Sequence, residues 1–281
     1  MYLCSVFARS FVGEGAWIIC VCRKRIIGCM TKLEEMNKTV FITGGASGIG
    51  AATVAKFLSE GWNVLLTDIQ EPPHVDARAR FVKADSSKKE ELERAAQIAE
   101  QEFGGIDAVF CNSGIHRRNT VLDVSQEELD LVIQTNIYGT VYTLQAVLPY
   151  IIRRGGGAVV LNSSDQFFVG KAHSFVYGMT KGAIGQMARS LAIDLGTRNI
   201  RVNAVCPGTI HTPLVDNLFN AFSEKDNKTI AQYWEEENAL FARKEAGRPE
   251  EVAEMVYFLI SDKASFCTGG HYLIDGGLVC Q

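Results

Sequence analysis

KTVFITGGASGIG, residues 38–50, decides the fold. KTVFIT is a β-branched apolar run of strand length, and it passes at once into a glycine-rich turn. AATVAKFLSEG, residues 51–61, continues with a helical apolar pattern and closes on Gly61. In a strand–turn–helix of this kind, glycines let the backbone approach a pyrophosphate and the helix N-terminus faces the anion. Gly44, Ser47, Gly48, Ile49 and Gly50 are therefore candidate dinucleotide contacts, although the spacing is Gly-x-x-x-Gly-x-Gly and not Gly-x-Gly-x-x-Gly. A second strand, NVLLT, ends at Asp68, followed by Ile69. A carboxylate there binds both ribose hydroxyls of adenosine and repels a 2′-phosphate. The turn carries no lysine or arginine to offset that repulsion, so NAD is expected in preference to NADP.

Further apolar runs follow at regular intervals: RFVKA before Asp85, IDAVFC to Cys111, GAVVLNS to Ser163, IRVNAVC to Cys206, and HYLI near the end. Between them lie helical patterns over residues 88–103, 126–154 and 175–195. Apolar, non-alternating strands separated by helices imply a parallel sheet covered on both faces. The expected fold is α/β, a single Rossmann-type doubly wound domain over residues 36–281 with a mostly parallel seven-stranded sheet.

Composition agrees. Of 281 residues 47% are hydrophobic and 26 are glycine, enough apolar material for one substantial core and too much for a disordered chain. A net charge of −4 with interspersed signs offers no nucleic-acid footprint and no polybasic membrane patch, which leaves a small-molecule partner. The eight cysteines lack zinc spacing, so no metal is expected, and they read as free thiols of a reducing, cytoplasmic location. Residues 1–35 differ from the rest. The uncharged core of this segment, residues 16–22, is too short to span a membrane, and Arg23, Lys24 and Arg25 follow it where a secretory signal carries its charge in front. This stretch is expected to be a disordered extension or a mis-assigned start, with Met30 or Met36 as the true beginning and an amphipathic targeting segment as the alternative.

NSSDQFFVGKAHSFVYGMTK, residues 162–181, carries the chemistry. Tyr177 and Lys181 are four residues apart, so on a helix the phenol and the ammonium share one face. A free tyrosine ionises near pH ~10, and a neighbouring cation favours the phenolate, which makes the pair a proton-transfer group.

TGGASGIG, Asp85, CNSG at 111–114, Asn136, Ser164, Tyr177, Lys181 and PGTIHTP at 207–213 occur in the order found in the short-chain dehydrogenase/reductase family, which residues 38–278 resemble. The resemblance implies hydride transfer between a secondary alcohol and NAD. It further implies that Asp85 and Ser86 contact adenine, that Asn112, Ser113 and Gly114 line the adenosine side, and that Thr212 holds the nicotinamide carboxamide beside Pro207, Gly208 and Ile210. Tyr177 would exchange the proton, Lys181 would sustain the phenolate and reach the nicotinamide ribose, Ser164 would bond the substrate oxygen, and Asn136 would position a water linking Lys181 to solvent. Ser164 lies thirteen residues before Tyr177, as the family places its serine, with Ser163 as the alternative. Where the family usually shows Asn-Asn-Ala-Gly, this chain has Cys-Asn-Ser-Gly.

Residues expected around the substrate are His116, Asp165, Gln166 and Phe167. By the same resemblance, residues 213–248 form short helices that close over substrate and exclude water. The wording of PGTIHTPL and KEAGRPEEVAEMVYFL leans toward sugars, sugar acids or hydroxy acids. The alternatives are an NADP-dependent ketone or 3-oxoacyl reductase, and a catalytically silent dinucleotide-binding regulator. The C-terminal TGGHYLIDGG with the apolar helix 252–259 implies a homo-oligomer, a tetramer or a dimer.

Overall fold

The computed structural model describes residues 38–226 and 228–280, so the expectation for residues 1–35 lies outside the described residues. Strands β1 (Thr39–Thr43), β2 (Asn63–Asp68), β3 (Ala79–Lys83), β4 (Ala108–Cys111), β5 (Gly157–Asn162), β6 (Ile200–Pro207) and β7 (His271–Ile274) form one sheet in the order β3-β2-β1-β4-β5-β6-β7. Every neighbouring pair is parallel. Strand order reverses between β1 and β4, which opens a crevice at their carboxyl ends.

The helices are α1 (Gly48–Ser59), α2 (Lys89–Phe103), α3 (Gln126–Ile133), α4 (Gly139–Arg153), α5 (Phe175–Gly196), α6 (Pro213–Asp226), α7 (Ile230–Leu240) and α8 (Pro249–Ile260). Because side chains alternate across a strand, the apolar runs feed two cores. Phe41, Leu65, Val109, Val159 and Val202 face Leu92 of α2, Val147 of α4 and Ile184 of α5. On the other side, Val40, Ile42, Val64, Phe110 and Val160 meet Phe57 of α1 and Val252 and Val256 of α8. Phe57 sits edge-on to Trp62 and Tyr257 at ring distances of 5.1 and 5.3 Å.

The helical stretch 126–154 is not continuous. A π turn, Gln134–Tyr138, separates α3 from α4. The Thr140 hydroxyl bonds the Asn136 carbonyl at 2.7 Å, taking up a backbone acceptor at the widened turn. Gly139 allows close approach to Ser86, since a Cβ there would lie 3.2 Å from the serine Cβ. At the far end of the sheet Arg201 caps α8, donating to the carbonyls of Leu259, Ile260 and Ser261. Among the described residues, no helix is long and apolar enough to cross a membrane.

Candidate active site

The carboxyl ends of the strands open into a cleft of about 580 Å³. At one end the glycine turn passes from β1 to α1. Gly44 and Gly48 hold φ values of 65° and 52°, which glycine adopts without the penalty a side chain brings. A Cβ on Gly50 would lie 1.8 Å from the Gly44 carbonyl oxygen, so the turn closes on itself only with glycine there. Asp68 ends β2 with one carboxylate oxygen accepting from the Ala46 amide at 3.0 Å and the other from the Gln70 amide at 3.0 Å. Each oxygen keeps lone pairs for a further donor.

The turn is pinned from beneath by Asn112. The Asn112 side chain donates to the Thr43 and Gly44 carbonyls at 3.0 Å and accepts from Asn162 at 2.9 Å, joining the ends of β1, β4 and β5. The Thr43 hydroxyl accepts from the amides of Asn112 and Ser113. Ser113, standing where the resembled family has alanine, accepts a 2.8 Å hydrogen bond from Ser86. The departure from the usual motif is thus satisfied internally. Adenosine-side residues Ile69, Asp85, Ser86 and Gly114 line the same cleft, as do Pro207, Gly208, Ile210 and Thr212 at its other end. Positive-φ glycines at a helix N-terminus, an acid at the end of β2 and a cleft of dinucleotide length fit a nicotinamide adenine dinucleotide.

At that other end stand Ser164, Tyr177 and Lys181. Lys181 is buried and donates to the Asn162 carbonyl at 2.7 Å, and its Nζ lies 5.3 Å from the centroid of the Tyr177 ring. Both serines border the cleft, and their hydroxyls have different partners. Ser163 donates to the Lys181 carbonyl at 2.8 Å and is consumed in packing β5 against α5. Ser164 faces the cleft, donates to Asp165 at 2.7 Å and accepts from the Gln166 amide at 3.2 Å. Asn136, wholly buried in the π turn, accepts from the Ile115 amide and donates to the Ile115 carbonyl and to Thr180. A Cβ on Gly114 would lie 3.3 Å from Asn136 Oδ1 and 3.7 Å from Lys181 Nζ, so glycine keeps the space between them open.

The electrostatics depart from the expectation for an isolated tyrosine–lysine pair. Burial pushes the Tyr177 phenol above its ordinary value, the Asp165 charge adds to that, and the hydrogen bond with Ser164 acts in the opposite sense. Burial lowers Lys181 to about 8, which leaves it an ammonium at pH 7. Desolvation outweighs the neighbouring cation because the ammonium is directed at the Asn162 carbonyl and not at the phenol oxygen. His116 stacks on Tyr177 at 4.3 Å and bonds Ser174 at 3.0 Å, and burial brings its pKa down to about 4, helped by Lys171, Lys181 and Arg117.

The remaining residues expected around the substrate take different places. Asp165 is buried under Ser164 and ion-paired with Lys171 at 3.0 Å, and Gln166 Oε1 sits against Gly178. Phe167 turns away from the cleft. It stacks on His271 at 4.4 Å, lies under Arg189 at 4.9 Å and occupies the space a Cβ on Gly185 would need, which makes it a packing residue between α5 and β7.

The family model described as enoyl-(acyl carrier protein) reductase matches residues 44–279. The 3-oxoacyl-[acyl-carrier-protein] reductase FabG of Thermotoga maritima is 35% identical over 86% of this chain and 98% of its own length. Glucose 1-dehydrogenase of Gluconobacter oxydans is 30% identical over 86% and 92% respectively. The chain belongs to the short-chain dehydrogenase/reductase family. It is an oxidoreductase acting on CH–OH groups with a nicotinamide cofactor and a small-molecule substrate. Among solved structures, the ligand-free aldohexose dehydrogenase of Thermoplasma acidophilum superimposes with a TM-score of 0.83 at 30% identity, covering 88% of this chain and 96% of that one.

Two groups of this short-chain dehydrogenase's cleft escape a reading of the sequence. Asn162 fixes both Lys181 and Asn112, and its position directly before the serine pair, at the end of a strand, was the available signal. Lys171 and Glu237 come within 3.6 Å of each other from segments 66 residues apart, and no spacing rule connects them.

Proposed function

We propose that this enzyme is an NAD-preferring dehydrogenase of a polar secondary alcohol, of the class of sugars, sugar acids or hydroxy acids, with Ser164, Tyr177, Lys181 and Asn136 as its proton-handling groups. The observation that carries the reading is a single cleft with the Asp68 carboxylate at one end and Ser164, Tyr177 and Lys181 at the other. Asp68 offers acceptors to ribose hydroxyls and opposes a 2′-phosphate, which favours NAD and speaks against the NADP-dependent 3-oxoacyl reductase alternative. A sugar-type substrate accords with the glucose and aldohexose dehydrogenases among the relatives.

Bound in the cleft, NAD supplies the hydride acceptor and a positively charged ring. The chain handles the proton. In the reducing direction Tyr177 donates to the carbonyl oxygen while Ser164 bonds the same oxygen. In the oxidising direction Tyr177 accepts the hydroxyl proton, and the Lys181 ammonium stabilises the phenolate that precedes this step. Asn136 and Gly114 border the gap through which a water reaches Lys181.

The domain is read as residues 36–281, with α6 and α7 of the 213–248 segment closing over substrate. The described cysteines Cys111, Cys206, Cys267 and Cys280 are free thiols, which suits a cytoplasmic location. Exposed Tyr138, Phe175 and Met179, together with Phe258, Phe266 and Leu273, favour a homotetramer or dimer. The deciding experiment is initial rates with NAD and with NADP against polyols, sugar acids, 3-hydroxy acids and steroids. Turnover of a polyol or hydroxy acid with NAD supports the proposal. Preferred turnover with NADP, or of steroids alone, refutes it.

A further inference from the structure

A chain of polar contacts leaves the cleft from the catalytic serine. Ser164 donates to one oxygen of Asp165, which is 1% exposed, and the other oxygen meets Lys171 at 3.0 Å. Lys171 lies in the stretch between β5 and α5, and its Nζ also donates to the Thr209 hydroxyl at 3.3 Å and stands 3.6 Å from Glu237 Oε1. Thr209 donates in turn to Glu237. Thr209 follows β6 beside the cleft-lining Gly208, and Glu237 belongs to α7, so three separate segments converge on one ammonium.

The rest of α7 is held differently. Trp234 stacks on His211 at 4.1 Å and donates to Asp216, and Tyr233 stacks on Phe219, but no α7 residue is fully buried. Rings of this kind tolerate sliding. The Lys171 ammonium, by contrast, stands between two carboxylates, Asp165 at 3.0 Å and Glu237 at 3.6 Å, and so links α7 by charge to the residue next to Ser164.

The orientation of Ser164 matters because its hydroxyl has one proton to give. To bond a substrate oxygen the serine must turn that proton away from Asp165, so the setting of the Asp165 carboxylate decides how readily the hydroxyl reorients. Lys171 is in contact with the second oxygen of that carboxylate, at 3.0 Å.

We propose that Lys171 is a positioning residue that couples the seating of α7, through Glu237 and Thr209, to the orientation of the catalytic Ser164 hydroxyl, through Asp165. This rests on the reading of Ser164 as the residue that bonds the substrate oxygen. Lys171 touches neither substrate nor cofactor in this role.

The test is a double-mutant cycle on the full chain, with the best substrate of the rate panel and NAD. Ser164→Ala by itself must lower kcat, and if it does not, the catalytic reading fails and the coupling with it. Lys171→Met is expected to lower kcat roughly ten- to a hundredfold, the scale of a misplaced catalytic group. Lys171→Arg should recover most of that loss. In the Ser164→Ala background Lys171→Met should cost less than about twofold, and Glu237→Gln should cost several-fold only while Lys171 is present. Equal losses from Lys171→Met with and without Ser164 would overturn the coupling while leaving the proposed function intact. Amide hydrogen exchange supplies a readout independent of turnover. Lys171→Met should speed exchange in α7 with β1 and β4 unchanged, and unaltered α7 protection would equally overturn the proposal.

Discussion

The two ends of the cleft are built on opposite plans. The dinucleotide end is made from backbone and small side chains locked by part-buried hydrogen bonds: Gly44, Gly48 and Gly50 in the turn, Thr43 and Asn112 beneath it, and a largely apolar sheet behind. The segment of α6 and α7 depends on stacked rings and one charge cluster, with Phe219 as a buried anchor on α6. One region is fixed by backbone geometry, whereas the other is assembled from side-chain contacts of modest strength.

Removing the acid tests the boundary between the two plans most severely. Tyr177→Phe should lower kcat by about 10²–10⁴-fold, the usual contribution of a positioned proton donor, with NAD affinity by fluorescence titration nearly unchanged. Activity close to wild type would dismiss Tyr177. Next in size, Gly50→Ala drives a Cβ into the Gly44 carbonyl. Overpacking of this kind costs about 1–3 kcal/mol, so NAD affinity should fall about ten- to a hundredfold with substrate KM less affected. Trp234→Ala on the covering side should show the reverse pattern. An aromatic pair contributes about 0.5–1.5 kcal/mol, which predicts a two- to tenfold rise in KM with NAD binding and melting temperature almost unmoved. If Trp234→Ala instead weakened NAD as much as Gly50→Ala does, the two ends would not be separable.

A further effect concerns pH. The unfolded chain takes up a proton at His116 near pH 6.5, whereas the folded protein does so only near 4. The folded state therefore loses stability relative to the unfolded one as pH falls through that window, and the loss is complete below about 4. His116→Asn should flatten the decline of melting temperature between pH 6.5 and 4. An unchanged slope would show that His116 is not the group responsible.

Much of this arrangement was legible in the chain. The glycine turn, Asp68 and the Tyr177–Lys181 pair could be read because each depends on spacing along one segment, and the parallel sheet because the inner strands β1, β4 and β5 are apolar on both faces. What escaped depends on contacts between segments. Ser163 and Ser164 are neighbours of the same type, and only the structure shows that their hydroxyls meet different partners, the Lys181 carbonyl and Asp165. Phe167 sits next to the catalytic residues in sequence yet points at His271, because a short 3₁₀ turn, Asp165–Phe167, rotates it out of the cleft. The upward direction of the Tyr177 shift also lay beyond reach, since it follows from burial and from the Asp165 charge.

The π turn at Gln134–Tyr138 bears on how such a chain can change over generations. A π turn holds one residue more than an α-helical path between the same ends, so deleting one residue there would restore regular helical bonding between α3 and α4. The same deletion would swing the preceding turn by about 100°, carrying Asn136 out of reach of Ile115 and Thr180. The sheet and both cores do not depend on that extra residue, whereas the contacts of Asn136 with Ile115 and Thr180 do.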